Sequence, residues 1–187
     1  MYPKKDKDGC LIFPDHPNFK VNRTPKEVIE AGAWQGTYFR PIHSAVTGKD
    51  YKDVHHKYKF FNSIPEDKLS RPLSQADVTI NKYGVKVGST LEFWEDKGWI
   101  KEQNPYGWFQ WYCDFYSGIR TEDDERQIKR WLAFTGPKGR FRKQLINLIY
   151  NKSGIWDDYT ISRAIRQSGL HWGYELTKKD YDAGKPQ

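Results

Sequence analysis

GWFQWYCDFYSGIR, residues 107–120, carries six aromatic side chains and one carboxylate in fourteen positions. On a helix, Trp108, Trp111, Tyr112, Phe115 and Tyr116 cover a broad apolar face that Phe109 and Cys113 widen. Gln110, Asp114, Ser117 and Thr121 fall on one narrow polar stripe. A helix this apolar belongs in a core, and it decides the fold class. The chain should be mainly α, a compact helical domain with at most a small β-hairpin or sheet. Asp114 is then a carboxylate on a buried helix, where an unpaired charge costs as much as a small domain's whole stability. Either a cation such as Arg120 or Arg126 pairs with it, or it faces a ligand, or it reaches solvent.

Helix punctuation extends outward from that segment. Thr24-Pro25-Lys26-Glu27 has the cap, first-turn proline and answering Glu of a capping box, and Gly32 stops the short helix it opens. Ser89-Thr90-Leu91-Glu92 repeats the box, with Gly98 beyond the last turn. Asn104-Pro105 opens the aromatic helix and Gly118 closes it. The acids of TEDD, 121–124, favour the next helix start, which runs to Gly136-Pro137. A helix over 138–151 follows, and Thr160 or Ser162 starts another that ends at Gly169. Strand signals are thin: VTINKYGVKVG, 78–88, alternates like a hairpin about Lys82–Gly84, and GTYFRPI, 36–42, reads as an edge strand. Pro3, Pro14 and Pro17 among mixed charges make residues 1–23 an N-terminal arm, 24–176 the single domain, and 177–187 a flexible tail.

The chain has 187 residues, a formal net charge of +7 and 16% aromatics, a pI near 9.2 and a mean hydropathy of -0.90. Large rings on a strongly polar chain imply a small aromatic core rather than disorder. Excess cationic charge favours an anionic partner, nucleic acid first, and argues against a carbohydrate-binding module. Cys10 and Cys113 lie too far apart to suggest a disulfide framework or a thiolate zinc site. No apolar stretch follows MYPKKDKDG and no window approaches a membrane span, so the expectation is an intracellular protein, cytoplasmic or nuclear, not secreted and without a membrane partner.

The clearest functional pattern is GRFRKQLINLIYNK. At helical spacing Phe141, Leu145, Leu148 and Ile149 form an apolar face, while Arg140, Lys143, Gln144, Asn147 and Asn151 form a second face of cations and amides. Those side chains make forked hydrogen bonds to base edges or neutralise phosphates. With the preceding helix, which presents Ile128, Trp131 and Leu132, and the short linker TGPKG, the outline is helix-turn-helix-like. The alternative is an ordinary solvated face. Arg142, Arg163 and Arg166 add to a cationic surface over 138–168.

Other constellations are weaker. Glu122 with Arg126 and Glu125 with Lys129 are ordinary helix-surface pairs. Asp123 and Asp124 could share a metal with Asp114, but no set has true ligand spacing. Adjacent His55 and His56 should diverge, and no metal or cofactor is assigned. In GTYFRPIHSAVTGK, Arg40, His43 and Lys49 could cradle a phosphate, although the ending of a Walker loop is missing. Glu95-Asp96-Lys97 with Asp67 loosely follows a nuclease pattern. Arg166 and His171, beside Trp172 and Tyr174, could stack on and bond a base.

Taken together, GTYFRPI, VTGK, NKYGVKVG, GWFQWYCDFYSGIR, DDERQIKRW, GPKGRFRKQL and IRQSGLHWGYEL resemble an uncharacterised family of small basic proteins of large DNA viruses and scattered eukaryotes. The resemblance covers most of residues 30–176 and implies no activity. From the residues, the reading is a nucleic-acid-binding protein, DNA more than RNA, of undetermined oligomeric state. The alternative is an enzyme acting on a nucleobase or nucleotide in an aromatic pocket. Asp114 would be its key carboxylate, His43 a second catalytic candidate, and Arg40, Lys49, Gln110, Arg120, Arg126 and His171 its anion or ligand contacts.

Overall fold

The computed structural model describes residues 2–186. The fold is mainly α, as the aromatic helix requires. Helices α1 (Pro25–Glu30), α2 (Leu91–Asp96), α3 (Trp108–Tyr116), α4 (Asp124–Phe134), α5 (Arg140–Asn151), α6 (Arg163–His171) and α7 (Lys178–Gly184) are joined by loops with short 3-10 turns, and the sheet is a two-stranded antiparallel ribbon. Thr24 and Glu27 form the expected capping box of α1. Thr90, not Ser89, caps α2 by accepting from the Phe93 amide. Asp124 closes the turn before α4 by accepting from the Thr121 amide, and takes the Trp111 indole N–H at 2.8 Å, which fastens α4 to α3.

Every residue of α3 is buried. Phe19 shows how the core is packed, its ring lying within 5.3–5.9 Å of Trp111, Tyr112, Phe115 and Trp131. Burying each such side chain contributes about 1.5–3 kcal/mol. A smaller apolar cluster of Leu145, Ile146, Ile149, Ile161 and Leu176 lies between α5, α6 and the C-terminal segment.

Three expectations are corrected. The segment expected to be an arm, described from residue 2 to 23, is not one: Leu11, Phe13, Phe19 and Val21 are buried in the main core, and the Leu11 amide donates to Val21 at 2.8 Å. Prolines and charges concealed that short apolar set. The 177–187 tail is helical through Gly184: Thr177 caps α7, and Asp180 receives the Tyr174 hydroxyl and the Arg142 guanidinium. The ribbon pairs β1 (Ile42–Ser44) with β2 (Lys49–Tyr51). Gly36 ends a 3-10 turn and residues 37–41 are irregular, not strand, and 78–88 holds a 3-10 turn at Val78–Ile80 instead of a hairpin. Asn81 prevents that hairpin by accepting from the Gln35 amide and donating to the Val85 carbonyl.

Candidate functional site

Five tryptophans from distant parts of the chain, Trp34, Trp94, Trp99, Trp108 and Trp172, converge on one cavity of about 260 Å³. Phe134 and Phe141 complete its rim, stacked with centroids 5.3 Å apart, where Gly139 allows the tight turn between α4 and α5. A Cβ there would lie 2.6 Å from the Phe134 carbonyl. Two guanidiniums enter this apolar space. Arg130 lies 5.4 Å from the Trp99 ring and 5.5 Å from the Trp172 ring, and Arg140 lies 4.3 Å from Phe134. Burial, then the nearby Arg126 charge, lowers the Arg130 pKa to about 10, so it stays cationic at neutral pH. No carboxylate lines the cavity among the described residues.

The floor is held in a costly conformation. Trp34 and Gln35 both have left-handed backbones, φ 52° and 55°, worth roughly 1–3 kcal/mol of strain each. Trp34 N–H donates to His171 Nε2 at 3.2 Å, and the Trp34 ring stacks on the imidazole at 4.2 Å. Gln167 also donates to that nitrogen. Because Nε2 accepts from both, the neutral ring carries its proton on Nδ1. Burial lowers the His171 pKa to about 3.

Helix α5 starts at the cavity rim. Gly139 offers no capping side chain, and the amides of Arg140, Phe141 and Arg142 make no hydrogen bond to a described protein group. Such donors, with the positive end of a helix dipole, favour an anion. A second cavity of about 350 Å³ shares Trp34, Tyr38, Trp94 and the 87–89 segment with the first and continues to Arg40 and Leu73. The two make one groove, and Glu92 lines its outer half beside Arg40.

The expected site residues separate into several places. Arg140 and His171 line the aromatic cavity and Arg40 the groove beyond it. Burial lowers the Arg40 pKa. Lys143, Gln144, Asn147, Asn151 and Arg163 are exposed, as a nucleic-acid-facing surface requires. Arg142 and Arg166 are corrected: both are buried. Arg142 binds the Thr135 carbonyl and Asp180, and Arg166 binds the carbonyls of Ile161, Trp156 and Asp158. They fix loops beside a separate cavity of about 210 Å³ and cannot reach surface phosphates.

His43 is exposed and pairs with Asp50 across the ribbon at 2.7 Å, and Lys49 lies on the exposed β2; neither lines the groove. Glu95 accepts from Ser44 and Ala45 and Asp67 pairs with Arg71, which dissolves the nuclease-like pattern. Asp123 is bound by Arg126 and Asp124 by Trp111, so neither shares a metal with Asp114.

Asp114 is paired, but not by the expected arginines. Arg120 is taken by Asp15 at 2.6 Å and Arg126 by Asp123. The carboxylate instead receives the Tyr58 hydroxyl at 2.8 Å, Asn104 Nδ2 at 2.8 Å and Lys57 Nζ at 2.9 Å. Neighbouring Gln110 accepts from the Tyr106 amide. Asp114 lines neither half of the groove nor the 210 Å³ cavity. Its polar seam is a structural joint between α3 and the 53–58 turn. Asp114→Ala strands two buried donors and is expected to cost about 2–3 kcal/mol in chemical denaturation. A loss below about 0.5 kcal/mol would contradict that role.

Arg130 is the cavity residue that the sequence reading missed; its proximity to Trp131 in a capped helix was visible, but its stacking partners lie 31 and 42 residues away in the chain. Comparison with family models, with curated proteins and with solved structures finds no match for the chain.

Proposed function

We propose that the protein binds nucleic acid, DNA in preference to RNA, by drawing an unstacked base into the tryptophan cavity. The observation that carries this reading is the cavity itself: ring faces on several sides, two guanidiniums and no acid. Bases stack on such rings for about 1–3 kcal/mol each, and a neutral imidazole beside them offers polar recognition without charge. Arg140 and the uncapped start of α5 suit the phosphate attached to that base. The exposed Lys143, Gln144, Asn147 and Asn151 follow Arg140 along α5 for neighbouring nucleotides, and Arg163 at the start of α6 is a further exposed cation. Arg140 belongs to both parts and joins base capture to backbone binding.

An enzyme built on Asp114 loses its support, because that carboxylate faces Tyr58, Asn104 and Lys57, away from the cavity. A single-stranded oligodeoxynucleotide is expected to quench tryptophan fluorescence with an affinity that falls as salt rises. Trp99→Ala should weaken binding about five- to 150-fold, equivalent to about 1–3 kcal/mol of stacking. Lys143→Ala should lower the salt slope by about one phosphate contact. Absence of binding at low salt would overturn the proposal. Duplex binding that ignores Trp99→Ala but fails in Gln144→Ala would place recognition on the α5 face alone.

A further inference from the structure

His55, His56 and Glu66 come together within the 53–69 loop, no residue of which lines a cavity described above. His55 Nε2 lies 3.0 Å from Glu66 Oε1, His56 Nε2 lies 3.9 Å from Glu66 Oε2, and one donor atom from each residue falls within 4.8 Å of the others. Asp53 sets this up: its left-handed backbone, φ 57°, starts the 3-10 turn that carries both imidazoles. Lys57 and Tyr58, the next two residues, anchor the turn to Asp114. Glu66 is oriented in turn by the Ser70 hydroxyl. Adjacent histidines that the sequence alone would send apart therefore meet on one carboxylate.

His55 supplies an independent pointer. Its ring is 2% exposed beside Phe39, yet its Nδ1 is buried with no partner. Leaving such an atom unpaired costs about 1–3 kcal/mol. Every polar interaction of this buried ring is therefore made by Nε2, at the surface edge facing Glu66 and His56. One hydrogen bond to a carboxylate that is itself 59% exposed contributes only about 1 kcal/mol. An apolar side chain would serve the core better, so the geometry is better explained by what Nε2 can ligate.

We infer that His55, His56 and Glu66 form a binding site for a divalent transition-metal ion of the zinc type. Two imidazoles and one carboxylate are the donor set that zinc accepts while keeping a fourth position for water. One Glu66 oxygen, Oε2, lies 3.1 Å from His55 Nε2 and 3.9 Å from His56 Nε2, on either side of the roughly 3.3 Å edge of a tetrahedron with ~2.0–2.1 Å metal–ligand bonds. Calcium and magnesium, which demand oxygen shells, are excluded from a site with two nitrogen donors. Metal bound here would tie the 54–57 turn to residue 66 and stiffen the segment holding Asp114.

Calorimetric titration of the full chain with zinc chloride, in a non-chelating buffer, tests the site. One equivalent should bind at micromolar concentration, raise the melting temperature, and be matched by cobalt with the visible bands of a low-coordinate ion; magnesium and calcium should do neither. His56→Ala and Glu66→Gln change exposed side chains and should each weaken zinc at least tenfold while leaving the metal-free melting temperature nearly unchanged. His43→Ala should bind like the parent. No zinc binding by the parent, or equal binding by the His56 and Glu66 variants, overturns the site and leaves the trio as a hydrogen-bonded loop.

Discussion

Gly32→Ala is expected to destabilise the protein by more than about 3 kcal/mol, enough to threaten folding at physiological temperature. Gly32 has φ +75°, and a Cβ built there lies 1.6 Å from the Ile80 carbonyl oxygen and 2.6 Å from its carbon. The contact is backbone on backbone, so no rotamer change relieves it. The left-handed conformation alone costs alanine about 1 kcal/mol. The remainder comes from separating the 31–36 loop from residues 78–81. That separation breaks the bond from the Gln35 amide to Asn81 and displaces the Gly32 carbonyl from Gln167, the contacts that hold Trp34 in its strained position. Gly48→Ala is the matched comparison: φ is +65°, but nothing lies within 4 Å of the added carbon. It should cost only about 1 kcal/mol. Urea unfolding of both variants measures the difference, and equal losses would show that the Gly32–Ile80 approach does not constrain the fold.

That loop also shows where sequence reading stops. Helix starts are legible because their signals are local: Thr24 and Glu27 answer each other across three residues, and the Thr121–Asp124 turn does likewise. The aromatic helix declares its own burial. Its polar seam does not declare its partners, because Asp114 is satisfied by Lys57 and Tyr58 from more than fifty positions upstream. The expected arginines were nearer in sequence but were claimed by Asp15 and Asp123. The cavity is less legible still. Its tryptophans come from a strained loop, two helices, a turn and a helix end, and each alone looks like ordinary core. The 1–23 segment was misread for a related reason: four apolar residues among eight charges and three prolines suffice to anchor a chain when the pockets that receive them lie elsewhere.

The second large effect is on pH dependence, and it comes from His171. An unfolded chain protonates this imidazole near pH 6.5, whereas burial holds its folded pKa at about 3. The folded state thus binds fewer protons between those values. His171 leaves stability independent of pH above 6.5, and stability falls as pH drops below it, by up to about 1.4 kcal/mol per pH unit. Nothing in the cavity can stabilise the imidazolium: the lining offers Arg130 and Arg140, both repulsive, and no carboxylate. The backbone N–H of Trp34 and the amide of Gln167 also donate to Nε2, so protonation there would set donors against a donor. His16, His43, His55 and His56 differ, each having a carboxylate partner. Between pH 6.5 and 4.5, before most carboxylates titrate, denaturant unfolding should therefore show a loss of about 2–3 kcal/mol. His171→Gln should be less stable at pH 7 but nearly flat across that window. A parent protein whose stability does not change from pH 7 to 4.5 would mean that His171 reaches solvent or an acid. A nucleotide in the proposed site would add a further contrast. By placing negative charge beside Arg130, it should ease protonation of His171 and shallow the acid slope, linking the stability of the Trp34 floor to occupancy of the cavity above it.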